Sequence, residues 1–145
     1  MKKLLVIFIG GFMILNTAIS RATEVKIQVS GIDTKRGGNI AVMIFGKNGF
    51  PKAHDKALFV QETNSLQETM SFVFNLTLKE FAVKVWHDEN QDGKVTKNWT
   101  GIYPKEGLGF SNSQKVGFTG PPSYKKSKVS KKQSLSGLKI SIRYP

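Results

Sequence analysis

At 145 residues, with 22 Lys and Arg against 10 Asp and Glu and a formal charge of +12, the chain has the length of one basic domain. It contains no Cys, which excludes a disulfide scaffold and a lipoprotein and leaves stability to packing alone. The order of the residues says more.

Met1-Lys2-Lys3, the apolar run 4–15 and the small residues of Asn16-Thr17-Ala18-Ile19-Ser20-Arg21-Ala22 read as a signal peptide, with Ser20 and Ala22 at positions −3 and −1 of a cut after Ala22. A membrane-spanning helix needs roughly 20 apolar residues, whereas this run contains Gly10-Gly11 and stops at Asn16. The expected organisation is therefore a leader over 1–22 and a single domain over 23–145, secreted or periplasmic, with no transmembrane segment after cleavage. Removal of Lys2, Lys3 and Arg21 leaves 19 basic against 10 acidic residues, a charge of +9. That balance favours anionic partners through long-range, salt-sensitive attraction. Export argues against nucleic acid, so the expected partner is an anionic envelope component or another envelope protein.

Residues 24–30 alternate, with Val25, Ile27 and Val29 on one face and Lys26, Gln28 and Ser30 on the other, the pattern of a half-buried strand. After a polar turn ending in Gly37-Gly38, residues 39–45 are apolar on both faces, as in an interior strand. Gly46-Lys47-Asn48-Gly49 turns the chain again, and 52–60 suits a short helical turn. Alternation returns at 66–78 (Met70, Phe72, Phe74, Leu76), at 81–87 (Phe81, Val83 and Val85 inward, Lys84 and Trp86 outward) and at 138–144 (Leu138, Ile140, Ile142, Tyr144). Short strands, turn-rich connections and no long amphipathic helix predict an all-β antiparallel β-sandwich. Between 95 and 136 periodicity fades. The aromatics Tyr103, Phe110 and Phe118 predict an ordered loop segment over 101–122, and the Lys/Ser-rich 124–136 an exposed hairpin or mobile loop.

The run Phe72-x-Phe74-x-Leu76, then Phe81-Ala82-Val83-x-Val85-x-His87-Asp88-Glu89-Asn90 and Asp92-Gly93-Lys94, resembles the bacterial DUF2141 proteins. So do Gly101-Ile102, Pro104-x-Glu106-Gly107-x-Gly109-Phe110-Ser111-Asn112, Phe118-x-Gly120-Pro121-Pro122-Ser123 and, nearer the N-terminus, Ile44-Phe45 with Gly49-Phe50-Pro51. The resemblance implies an exported domain with a sandwich like those of transthyretin-like or carboxypeptidase-regulatory modules, and implies no activity. One departure is Val95-Thr96-Lys97, where members often carry Asp after the Gly-Lys.

Asp88-x-Asn90-x-Asp92-Gly93 has the alternating oxygen spacing of a calcium loop. The position that would carry the bidentate Glu of an EF-hand is Trp99, which excludes that motif. Two readings stay open. In one, Asp88, Asn90, Asp92, the Lys94 carbonyl and Glu106 hold a weak Ca²⁺. In the other, Asx side chains bond their own backbone in a turn. No other cofactor is expected. His87, core-facing in register, is read as hydrogen-bonded to a loop carbonyl, with a metal-ligand or general-base role as its alternative. Gly109-Phe110-Ser111-Asn112-Ser113 is not a nucleophile elbow. His87, Trp99, Tyr103 and Phe110 form a candidate binding face, unless the aromatics merely pack the loop onto the sheet. The expected function is a non-enzymatic binding or accessory module of the cell envelope. The alternatives are a small hydrolase using His87, Asp88 and Glu106, or a structural domain pairing its edge strands.

Overall fold

A computed structural model describes residues 21–145; the leader read over 1–22 lies, apart from its last two residues, outside them. Eight strands form two sheets: β1 (Thr23–Ser30), β2 (Asn39–Phe45), β3 (Phe59–Asn64), β4 (Thr69–Leu76), β5 (Glu80–Asp88), β6 (Leu108–Phe110), β7 (Val129–Ser130) and β8 (Leu138–Ser141). One sheet runs β4-β1-β8 and the other β3-β2-β5-β6, with β7 beside β6 on the same edge of β5. Every pairing is antiparallel except β1 with β8, where Ile27 to Ser30 run alongside Leu138 to Ser141.

The period-2 patterns fold as their chemistry dictates. Val25, Ile27 and Val29 of β1 and Phe72, Phe74 and Leu76 of β4 face Ile40, Val42 and Ile44 of β2 and Phe81, Val83 and Val85 of β5 across one continuous core. The opposite face of the second sheet is also covered. Ala41, Met43, Phe45, Trp86, Leu108 and Phe110 form a second apolar cluster there, capped by Phe50, Ala57, Val95 and Val116. This explains why β2 and β5 are apolar on both faces: the molecule is a sandwich with a layer of loops over one sheet.

Two places require glycine. A Cβ on Gly109 would meet Ile140 Cγ2 at 2.8 Å and the Ser141 carbonyl at 2.9 Å, because the C-terminal strand crosses β6 closely. There Leu108 and Arg143 exchange backbone hydrogen bonds of 3.0 and 2.9 Å that stitch the sheets together. Gly38, at φ +71°, lies against the Asp88 carbonyl, where no side chain fits. After β6, the Ser111 hydroxyl continues the ladder in place of backbone, accepting the Val83 N–H at 2.9 Å and donating to the Ser127 carbonyl at 2.5 Å.

Three local expectations change. The turn expected over 52–60 is a 3-10 turn at His54–Lys56, followed by the edge strand β3. The strand expected over 66–78 is confined to β4. The lysine-rich 124–136 is ordered: two one-turn helices, α1 (Tyr124–Ser127) and α2 (Lys131–Ser134), flank β7. A capping box between Ser130 and Gln133 and the pairing of Val129 with Phe81 hold that segment to the sandwich.

Candidate ligand-binding site

Strand β5 sorts its residues between two environments. Phe81, Val83, Val85 and His87 enter the core, while Lys84, Trp86 and Asp88 turn toward the loop layer. Lys84 would be solvated on an open sheet, but here it is only 3% exposed. Its ammonium donates to the Pro51 carbonyl at 3.0 Å and to Nε2 of His54 at 2.6 Å. An ammonium has donors only, so Nε2 of His54 accepts. Among the described residues Lys84 has no ion pair. Burial pulls its pKa down to about 8, against a partial lift from the Glu106 carboxylate. Burial, with the Lys84 charge adding, pulls His54 down to about 4.

Lys84 and His54 line a cavity of about 610 Å³ between the 51–55 segment, β6 and the loops 93–104 and 116–121. Its apolar walls are Val95, Ile102, Leu108, Phe110, Val116 and the prolines 51, 104 and 121. Its charged members are Lys52, Lys84, Lys94 and Lys97, with Asp55 the sole acidic residue on the lining. The volume lies in the range of small-molecule sites, and the wall is predominantly basic, four lysines against one carboxylate.

The buried carboxylates serve the scaffold. Glu106 accepts the Trp86 indole N–H at 3.0 Å and the Thr96 N–H at 2.9 Å on one oxygen, and the Glu89 N–H at 3.3 Å on the other. Asp88 accepts N–H groups from Asp92 at 3.2 Å and Gly93 at 3.0 Å. Asp92 Oδ1 accepts the Lys94 N–H at 2.8 Å, and Asn90 Oδ1 the Asp92 N–H at 3.3 Å. Of the two readings left open by the sequence, this is the geometry of the Asx turn. Each Asp88 oxygen thus gives one lone pair to a backbone N–H, and no cluster of three or more His, Asp or Glu side chains suited to a metal occurs among the described residues.

His87 is fully buried. Its Nε2 faces the Gly37 carbonyl at 2.5 Å and therefore carries a hydrogen, while Nδ1 meets the Tyr144 hydroxyl at 2.7 Å. The same hydroxyl accepts the Asp33 N–H at 2.9 Å, so His87 pins the C-terminus to the first turn. It lies on the core side of β5, away from Asp88. His87, Asp88 and Glu106 thus share no pocket, and the hydrolase arrangement weighed from the sequence does not assemble.

The proposed binding face separates likewise. His87 is in the core, Phe110 is buried and, with Trp86, anchors the loop layer, Tyr103 borders a smaller recess with Tyr144, and Trp99 is 94% exposed. Of the residues singled out from the sequence, Lys94 and Phe110 line the cavity, and Asp88, Asn90, Asp92, Glu106, His87, Trp99 and Tyr103 do not.

The family described as "Uncharacterized protein conserved in bacteria (DUF2141)" matches residues 27–136. The chain belongs to the DUF2141 family. Neither curated proteins nor solved structures give a significant match. In this DUF2141 chain the residues recognisable in sequence, such as Asp88, Asp92, Glu106, Gly109 and Ser111, hold the loop layer in place. The cavity beneath that layer is made by Lys84, His54 and Lys97. A signal for Lys84 was present: a charged residue facing the same way as Ala82 and Trp86, in a strand apolar on both faces, must be covered or partnered. Nothing in the sequence marks His54.

Proposed function

We propose that this DUF2141 domain is an exported, non-enzymatic binding module of the cell envelope, and that its cavity takes a small anionic amphiphile. The observation that carries the reading is the Lys84 ammonium, held at the cavity wall by a carbonyl and an imidazole, in no ion pair among the described residues and only partly offset by the Glu106 carboxylate. A buried ammonium without a counter-ion is costly, and an anion entering from the cavity would supply the missing charge. The apolar walls suit the hydrocarbon part of the same molecule. Export follows the leader read over residues 1–22, and the anionic ligand class follows the basic balance of the chain. Ca²⁺ has a weaker claim, resting on the spacing of Asp88, Asn90 and Asp92 alone.

A second reading, pairing of an edge strand with another envelope protein, draws support from β3, an edge whose Phe59 and Val60 are 40% and 49% exposed.

The deciding experiment is calorimetric titration of residues 23–145, a segment containing every core residue from Val25 to Ile142, with decanoate and with decanol below their aggregation limits. Decanoate is expected to bind the wild type, and decanol or Lys84→Met to weaken binding at least about tenfold, the loss of a charge-assisted contact. Equal binding of acid and alcohol, or of wild type and variant, would overturn the reading.

A further inference from the structure

Two tight turns rim the cavity, and each presents an aromatic ring at its tip. In the first, the Gly101 N–H returns to the Asn98 carbonyl at 2.9 Å, and the Asn98 side chain accepts from the Thr100 N–H and hydroxyl. Trp99 occupies the first central position of this turn and is 94% exposed. The hairpin below it is closed by a bridge between Lys97 and Pro104. In the second, Gly117 and Gly120 exchange backbone hydrogen bonds of 2.9 and 3.0 Å. Phe118 occupies the matching position and is 93% exposed. The residues that follow these rings, Gly101 and Ile102 in one loop and Thr119 to Pro121 in the other, are themselves cavity lining, and Ile102 is 52% exposed.

A single exposed apolar side chain on a protein surface is ordinary. Two aromatics at the tips of backbone-closed turns, in two loops that line one basic cavity, are a different pattern. The turns hold the backbone of both residues at the tips, and both rings stand in solvent. Lys94 and Lys97 line the cavity that both loops enclose. Aromatic tips with flanking lysines match the layered chemistry of a bilayer surface, with an apolar boundary for the rings and anionic headgroups for the ammonium groups. The basic balance of the whole chain complements the same surface.

We propose that the cavity mouth docks onto an anionic phospholipid bilayer, with Trp99 and Phe118 inserted at the headgroup–acyl boundary and Lys94 and Lys97 on the headgroups. This rests on the cavity reading above only for its purpose: docking would place the cavity opening where a lipid-derived anion could pass into it. The docking surface stands on its own residues.

The test uses residues 23–145, free of the apolar leader, and vesicles of phosphatidylcholine with or without phosphatidylglycerol. The wild type is expected to co-sediment with the anionic vesicles and not with the neutral ones, and to release as salt rises. Trp99 emission is expected to shift to the blue on binding, against a constant signal from buried Trp86. Trp99→Ser with Phe118→Ser is expected to bind at least about tenfold more weakly, the scale of losing two apolar anchors at the interface. Both side chains are solvent-exposed, so thermal unfolding and decanoate binding of the double variant are expected to match the wild type. Absence of binding to anionic vesicles, or equal binding by the double variant, would overturn docking. Wild-type decanoate binding in that event would leave the cavity reading in place. Vesicle binding with no decanoate binding would instead retain docking and remove the cavity reading.

Discussion

The indole N–H of Trp86 donates to Glu106 at 3.0 Å, a buried bond between a sheet residue and the loop layer above it. The carboxylate also holds the backbone N–H groups of Thr96 and Glu89, so one side chain fastens both ends of the acidic loop, whose residues 93–95 line the cavity. Glu106→Ala would strand one buried N–H donor, that of Trp86, and two part-buried ones, those of Glu89 and Thr96. Each such orphan costs about 1–3 kcal/mol, and a total loss of about 3 kcal/mol or more is expected in urea unfolding. Glu106→Gln, which keeps an acceptor oxygen, is expected to lose less. Equal stability of Glu106→Ala and wild type would show that the acidic loop does not depend on this bond.

The neighbouring acidic loop leads to a prediction about cations. Asp88 spends both oxygens on the N–H groups of Asp92 and Gly93. A site with Kd near 0.1 mM would add about 2 kcal/mol in several millimolar Ca²⁺, a rise of several degrees in Tm. Thermal unfolding in EDTA and in millimolar Ca²⁺ is expected to coincide, and Asp88→Ala to cost about 1–2 kcal/mol in both. A Ca²⁺-specific rise in Tm, abolished by Asp92→Ala, would restore the cation reading.

These residues also mark where sequence reasoning stopped. β1, β4, β5 and β8 were legible because each carries apolar residues at alternate positions, and alternation fixes the face that is buried; β2 was legible as a short continuous apolar run. β3 was not, because Phe59–Asn64 lies on an edge with little burial on either face and so has no pattern. β6 has three residues, one of them Gly109, too few for a period. The register of Lys84 was legible, but its burial was not. Alternation says which way a side chain points, not whether a loop from residues 93–121 will later cover it. His54 meets Lys84 across 30 residues, a proximity that no local pattern encodes.

Lys84 itself should trade stability for binding. Burial depresses its pKa to about 8, which means that the folded protein holds the ammonium less comfortably than water does. Replacing a buried charged group by an apolar one of similar volume is often neutral or stabilising by about 1–4 kcal/mol. Lys84→Met is expected to raise the urea midpoint while losing decanoate binding. A variant that is both less stable and still competent to bind decanoate would mean that Lys84 is only a structural tether for Pro51 and His54.

The pH dependence of stability follows from the same pair. Between about 8 and the ordinary lysine value of 10.5, the unfolded chain holds a proton at Lys84 that the folded chain has released. Stability therefore rises with pH through that window as far as Lys84 governs it. For His54 the window runs from the ordinary 6.5 down to about 4, where again the unfolded chain binds the extra proton, so stability falls as the solution is acidified. His54→Gln is expected to remove the part of the acid loss that lies between these values, and Lys84→Met the rise between pH 8 and 10.5. Decanoate binding has the opposite slope in the alkaline window, because it needs the ammonium. Its affinity is expected to fall as pH rises through about 8 in the wild type and to be flat in Lys84→Met. Stability that fell from pH 8 to 10 in the wild type and in Lys84→Met alike would show that other groups dominate. A decanoate affinity unchanged over the same range would remove Lys84 as the contact to the anion.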